Sequence, residues 1–302
     1  MKTWRGWAFI GLQACASASG GGPVESTTRD APPGGMSTEP AAPPSASAME
    51  LIQEGVSVAA QDPAAALQLM EQAQAADPGA ALAYYNMAVL QERLGRYEAA
   101  TTSYQRAIER DPSDITAIEN LANLHARRGR FDAAESLLTE ASQRMPDELR
   151  LKNRLSSTWI AAGKLEEAEA EAKRVLKLDE KNVGALLNLA VIFSDRGQLE
   201  LATTVLERAR EIDESEPRVF INLGKVFLAR DQRSEALESY QRAAKLRDDM
   251  PEVHNNLGAL YVETNDFEAA ISALDRAIGL YPDYAKAHQN LGNAYKGALR
   301  LD

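Results

Sequence analysis

Apolar residues return along the chain in two bursts per period of 34 residues, and within each burst they step by three and four. Leu121 and Leu124 are followed by Phe131, Ala134, Leu137 and Leu138, with polar residues between them. Such steps place side chains on one face of an α-helix, so each period predicts two short amphipathic helices joined by a tight turn. Four registers run from residue 81 onward without an insertion. Asn86, Asn120, Asn188, Asn222, Asn256 and Asn290 form one, with Arg154 in its remaining place. Met87, Leu121, Leu155, Leu189, Leu223, Leu257 and Leu291 form the next. Ala100, Ala134, Ala168, Ala202, Ala236 and Ala270 are the third, and Ala107, Ala141, Val175, Ala209, Ala243 and Ala277 the fourth. Gly95, Gly129, Gly163, Gly197, Asp231 and Asn265 stand between the paired helices. These residue types accept the left-handed backbone that a tight helix–helix turn requires. Pro112, Pro146 and Pro282 close the second helix of three periods, where a missing N–H does no harm.

A 34-residue helix–turn–helix unit of this kind, carried most fully by YYNMAVLQERLGRYEAATTSYQRAIERDP, resembles the tetratricopeptide repeat (TPR) family. The resemblance implies an all-α fold, a right-handed superhelix of stacked repeats. Six repeats are expected at 81–114, 115–148, 149–182, 183–216, 217–250 and 251–284. Residues 47–80 are expected to form a degenerate first repeat with a shortened first helix, and residues 285–302 a capping helix bearing Lys286, Lys296 and Arg300. Glu180, Glu214 and Asp248 stand where the family often has proline.

The first 46 residues follow a different pattern. Lys2 and Arg5 precede the short apolar run WAFIGLQA at 7–14, the layout of a secretory signal. Leu12-Gln13-Ala14-Cys15 resembles the lipobox of bacterial lipoproteins, and Cys15 is the single cysteine of the 302-residue chain. By that resemblance residues 1–14 are a signal peptide and the Cys15 thiolate takes a lipid. Ala16 after the cysteine then points to an outer-membrane address facing the periplasm. Residues 15–46, rich in Gly, Pro, Ser, Thr and Ala, lack the apolar side chains that would offset ordering entropy. They are expected to be a disordered tether with a reach of roughly 30 Å.

Composition narrows the function by exclusion. The net charge of −11 argues against nucleic acid, which needs a basic stripe. No apolar stretch is long enough to cross a membrane as a helix. One cysteine permits neither an internal disulfide nor a thiolate metal site. His125, His254 and His288 have no neighbours at ligand spacing, so no metal is expected. Gly163-Lys164 and Gly224-Lys225 lack the preceding glycine and following hydroxyl of a phosphate loop. Neither a catalytic motif nor a cofactor site emerges, and the chain reads as non-enzymatic.

In TPR arrays the first helices line a concave face at repeat positions 2, 5, 6, 9, 12 and 13. Carried onto this sequence, that face holds eight cations (Arg93, Arg127, Arg150, Arg154, Arg218, Lys225, Lys286 and Lys296) against five anions (Glu92, Glu119, Asp195, Glu252 and Glu263). It is expected to steer a ligand of negative or mixed charge inward. The asparagine register lies on the same face, and a carboxamide can pair with both N–H and C=O of an extended peptide. Ile160, Leu187, Val191, Ile221, Leu228 and Val262 are expected beside it as apolar anchors. A lipid-anchored TPR array resembles the pilotin lipoproteins, which help secretin subunits assemble in the outer membrane for type IV pili. The alternatives are a fixed structural part of a gliding-motility or secretion apparatus, and an accessory of polysaccharide or cell-wall synthesis. The last is weakened because Trp159, the one tryptophan beyond the signal, falls at a position filled by Phe193, Phe227 and Tyr261.

Overall fold

The structure, a computed structural model, describes residues 42–299. The signal peptide, Cys15, most of the expected tether and Arg300 lie outside the described residues. Among the described residues there are fifteen helices and no strand. In chain order they are α1 (Ala46–Val58), α2 (Pro63–Ala76), α3 (Ala81–Arg93), α4 (Tyr97–Arg110), α5 (Ile115–Arg127), α6 (Phe131–Arg144) and α7 (Leu149–Ala161). There follow α8 (Leu165–Leu178), α9 (Val183–Asp195), α10 (Leu199–Ile212), α11 (Pro217–Ala229), α12 (Arg233–Leu246), α13 (Pro251–Glu263), α14 (Phe267–Leu280) and α15 (Ala285–Ala298). The described residues fall into two compact units that divide between Ala162 and Gly163, the first holding α1–α7 and the second α8–α15.

The registers explain the helix pairs. The alanines at 100, 134, 168, 202, 236 and 270 are all fully buried, so each second helix lies close to its neighbours where a larger side chain would not fit. Within a repeat the close approach is visible at two glycines. A Cβ on Gly224 would stand 2.5 Å from the ring of Tyr240, and one on Gly258 would stand 2.4 Å from Leu274. The buried Leu138, Leu206 and Leu274 each contribute about 2 kcal/mol by leaving water.

Turns are set by backbone chemistry. Gly95, Gly129, Gly163 and Gly197 have φ between 71° and 78°, and Asp231 and Asn265 take the same left-handed conformation at 61° and 59°. Between repeats, the carboxylates of Asp111, Asp179 and Asp213 accept from the N–H two residues on, at 3.1, 3.1 and 2.9 Å. This turn forms with or without the following proline, which is why Glu180 and Glu214 are accommodated.

The first repeat corrects one expectation. α1 is not shortened; its 13 residues match the later first helices. The turn to α2 holds four residues (59–62) where the next repeat has three (94–96), which sets α1 back by one place and takes it out of register. Asp62 caps α2 through the N–H groups of Ala64 and Ala65 at 3.0 and 2.9 Å.

Candidate partner-binding face

The sixth residue of each first helix carries the asparagine register, and Asn86, Asn120, Arg154, Asn188, Asn222, Asn256 and Asn290 are all half-buried. Their partners differ along the chain. In the first unit, Asn86 Nδ2 donates to the Leu82 carbonyl one turn back at 2.8 Å. Asn120 Nδ2 donates to Tyr85 Oη at 3.2 Å. The hydroxyls of Ser157 and Thr158 donate to the Arg154 carbonyl at 2.8 and 2.9 Å. In the second unit three amides form a chain: Asn290 Nδ2 donates to Asn255 Oδ1 at 2.9 Å, and Asn255 Nδ2 to Asn256 Oδ1 at 3.4 Å. Asn256 Nδ2, at the end of this chain, is buried and has no acceptor. A donor left so costs about 1–3 kcal/mol.

Tyrosines add to the first unit's polar face. Tyr104 Oη donates to Glu92 Oε2 at 3.3 Å, and the Tyr85 and Tyr104 rings meet edge to face at 6.1 Å. Burial above all, then the charge of Asp114, pushes the Tyr85 hydroxyl up to about 12. Burial and Glu92 raise Tyr104 as well. Both therefore stay protonated donors at neutral pH. Tyr85 and the fully buried Asn255 were not singled out from sequence. Their signal was a polar residue at the fifth position of a first helix, directly before the asparagine register.

The charges on this face are engaged with one another. Arg127 pairs with Glu92 at 2.6 Å, Arg150 with Glu119 at 2.5 Å and Lys225 with Glu252 at 2.6 Å. Each joins successive first helices. Arg218 folds back on Glu216 at 2.9 Å, and Glu263 meets Arg233 at 3.6 Å. Arg93 donates to the carbonyls of Ala59 and Ala60 at the end of α1, where the helix dipole is negative. Lys286 and Lys296 are exposed on α15. Three of the eight cations are thus paired with anions of the same face, which leaves its net positive charge unchanged.

Two expected anchors are displaced. Leu187 and Ile221 are only 5% and 2% exposed and belong to the core of the second unit. They hold the fifth position, which faces the neighbouring first helix, so apolar side chains there pack inward. Val191, Leu228, Ile160 and Val262 are half-buried and keep some surface. Trp159 packs against the core of the first unit. Of the histidines, His254 and His288 place Nε2 2.8 and 2.7 Å from the carbonyls of Asp248 and Pro282, the residues six earlier in each case. No cluster of three potential metal ligands occurs among the described residues.

Repeated pairs of antiparallel helices, with polar side chains at one fixed position of every first helix from α3 onward, define an all-helical repeat protein built for association. Family models for the tetratricopeptide repeat match residues 81–114, 125–182, 159–221 and 221–295. The chain belongs to the tetratricopeptide repeat family, whose arrays bind protein partners. No curated protein sequence matches it. Among solved structures it resembles a tetratricopeptide repeat protein from Parabacteroides merdae, with 17% identity, a TM-score of 0.63, and 82% of this chain and 99% of that one covered. TTC0263 from Thermus thermophilus is similar at 21% identity and a TM-score of 0.54, covering 60% of this chain and 98% of that one. Yeast Tom70 gives 14% identity and a TM-score of 0.66 over 84% of this chain, which spans 54% of the Tom70 chain. At these identities the likeness is one of fold.

Proposed function

We propose that this protein is a non-enzymatic capture scaffold, anchored to the outer membrane through a lipid on Cys15, whose first-helix face holds an extended segment of an envelope client. The observation that carries the reading is the polar register itself, in which Asn86, Asn120, Arg154, Asn188, Asn222, Asn256 and Asn290 recur half-buried at the sixth position of successive first helices. Carboxamides at that spacing suit the N–H and C=O groups of an extended peptide, and half-buried Val191 and Leu228 offer apolar contact beside the same register. The layout of signal, lipidated cysteine, tether and repeats favours a pilotin-type role toward a secretin subunit.

The test is a crosslinked pull-down from detergent-solubilised envelopes, with Asn188, Asn222 and Asn256 changed together to Ala. Helix content by circular dichroism should be unchanged while client recovery falls at least about tenfold, as expected for two or three lost hydrogen bonds. Recovery equal to wild type would sink the capture reading. A set of motility or secretion components that survives the substitution would instead favour a fixed structural role.

A further inference from the structure

Second helices also reach the first-helix face. The eighth residue of a second helix is tyrosine in two repeats, Tyr104 on α4 and Tyr240 on α12, and each is only 1% exposed. Gly224 on α11 leaves a notch for the second of these rings. A Cβ there would stand 2.5, 2.7 and 2.8 Å from Cε1, Cδ1 and Cζ of Tyr240, so only glycine lets the ring edge pass so close to the helix. The hydroxyls end among carboxylates of the first helices. Tyr104 Oη donates to Glu92 Oε2 at 3.3 Å, and the charges that act on Tyr240 are Glu252 and Glu263.

The two repeats then differ by one exchange. Glu92 is the twelfth residue of α3, whereas the twelfth residue of α11 is Leu228. Tyr240 therefore lacks the acceptor that Tyr104 has, and its hydroxyl has no hydrogen-bond partner among the described residues. Nor is that hydroxyl sealed, for it is not one of the fully enclosed polar atoms. A donor held in place by a buried ring and open at its tip can take an acceptor from outside the chain.

We propose that Tyr240 is a binding residue of this face, its hydroxyl donating to a main-chain carbonyl of the bound segment between α11 and α13. The inference rests on the capture reading above and gives it a fixed contact within the second unit. Burial, and then Glu252 and Glu263, hold the Tyr240 hydroxyl above the ordinary tyrosine range, so it remains a donor at neutral pH. The same two carboxylates decide the kind of acceptor. Lys225 and Arg233 are already paired with them, at 2.6 and 3.6 Å. A third carboxylate would be repelled here, and a neutral carbonyl is not. Leu228 and Val262, the twelfth residues of α11 and α13, are half-buried and suit apolar side chains next to that carbonyl. The segment is thus extended, uncharged at this point and apolar beside it. In the first unit the corresponding hydroxyl is spent on Glu92, so Tyr104 makes no such contact.

The test uses the full 302-residue chain carrying Cys15→Ser, in mild detergent, and a phage-displayed library of random dodecapeptides. Peptides are kept if this chain binds them and its variant with Asn188, Asn222 and Asn256 changed to Ala does not. Affinities are read by fluorescence anisotropy. Tyr240→Phe keeps the ring over Gly224 and removes only the hydroxyl, so it should melt with its parent while binding weakens about three- to tenfold, the worth of one hydrogen bond. Tyr104→Phe breaks a bond internal to the chain, so it should melt lower and bind as the parent does. Thiocarbonyls, weaker acceptors than carbonyls, are then placed along the peptide one at a time. One position should weaken binding to the parent and have no effect with Tyr240→Phe. Kept peptides that bind Tyr240→Phe as tightly as the parent, or a scan with no position coupled to Tyr240, would overturn this inference and leave the capture reading standing. A library that yields no peptide lost by the asparagine variant would overturn the capture reading, and this inference with it.

Discussion

His125 occupies the eleventh position of α5, where Phe193, Phe227 and Tyr261 stand in later repeats. Its ring is buried, and Nδ1 has no hydrogen-bond partner. Burial first, and then the nearby Arg130, hold its pKa below the ordinary value of 6.5, with Glu98 acting weakly the other way. The unfolded chain therefore binds this proton more readily than the folded one. Stability attributable to the site is full above pH 6.5 and is lost as pH falls through 6.5 toward the lower folded value. The melting temperature should drop between pH 7.5 and 5.5, and His125→Phe should shrink that drop. An undiminished pH dependence in His125→Phe would assign the proton to another group. At this scale the sequence was informative wherever a backbone conformation was at stake. Asp231 and Asn265 were legible as turn residues because few side chains tolerate positive φ. The hydrogen-bond partners of the asparagine register were not, since an amide donates to a neighbouring carbonyl, hydroxyl or amide with equal ease.

Helices of this chain are defined by where they leave room. Gly258→Ala would bring a methyl to 2.4 Å from Leu274 and should destabilise by about 1–3 kcal/mol, the usual cost of overpacking. Gly292→Ala, the same change at the same repeat position, meets nothing and should stabilise α15 by up to about 1 kcal/mol. Denaturant melts of the two variants should move in opposite directions; a loss in both would mean that α15 is covered in solution by something that fills the notch. The periodic alanines made this packing readable from residue 81 onward. α1 escaped because its pattern is displaced by the extra residue of the turn at 59–62, and a one-residue offset breaks a register without weakening the helix. Leu187 and Ile221 escaped for another reason. Apolar residues at the fifth position look the same in sequence whether they face a ligand or the adjoining first helix, and only packing separates the two.

At the scale of the whole molecule, the proposed function depends on joining a repeat array to a membrane through residues that precede it. Under the lipoprotein reading, Cys15→Ala should release the protein from sedimented membranes into the soluble fraction. Retention of a cleaved, non-lipidated form would refute lipid anchoring. The −11 net charge is offset along the first helices by cations, yet those cations are held by Glu92, Glu119 and Glu252. At these three cations an incoming acidic side chain finds the counter-ion already taken, whereas Lys286 and Lys296 stay exposed. There it must displace a resident carboxylate from Arg127, Arg150 or Lys225, so the reaction is an exchange of one ion pair for another of similar strength. The free-energy difference is then small for any single carboxylate, and discrimination passes to shape and to the spacing of several simultaneous displacements. A resident carboxylate also stands ready to reclaim its partner, which hastens release. Binding of this kind is selective without being permanent, the behaviour of a relay rather than a rivet.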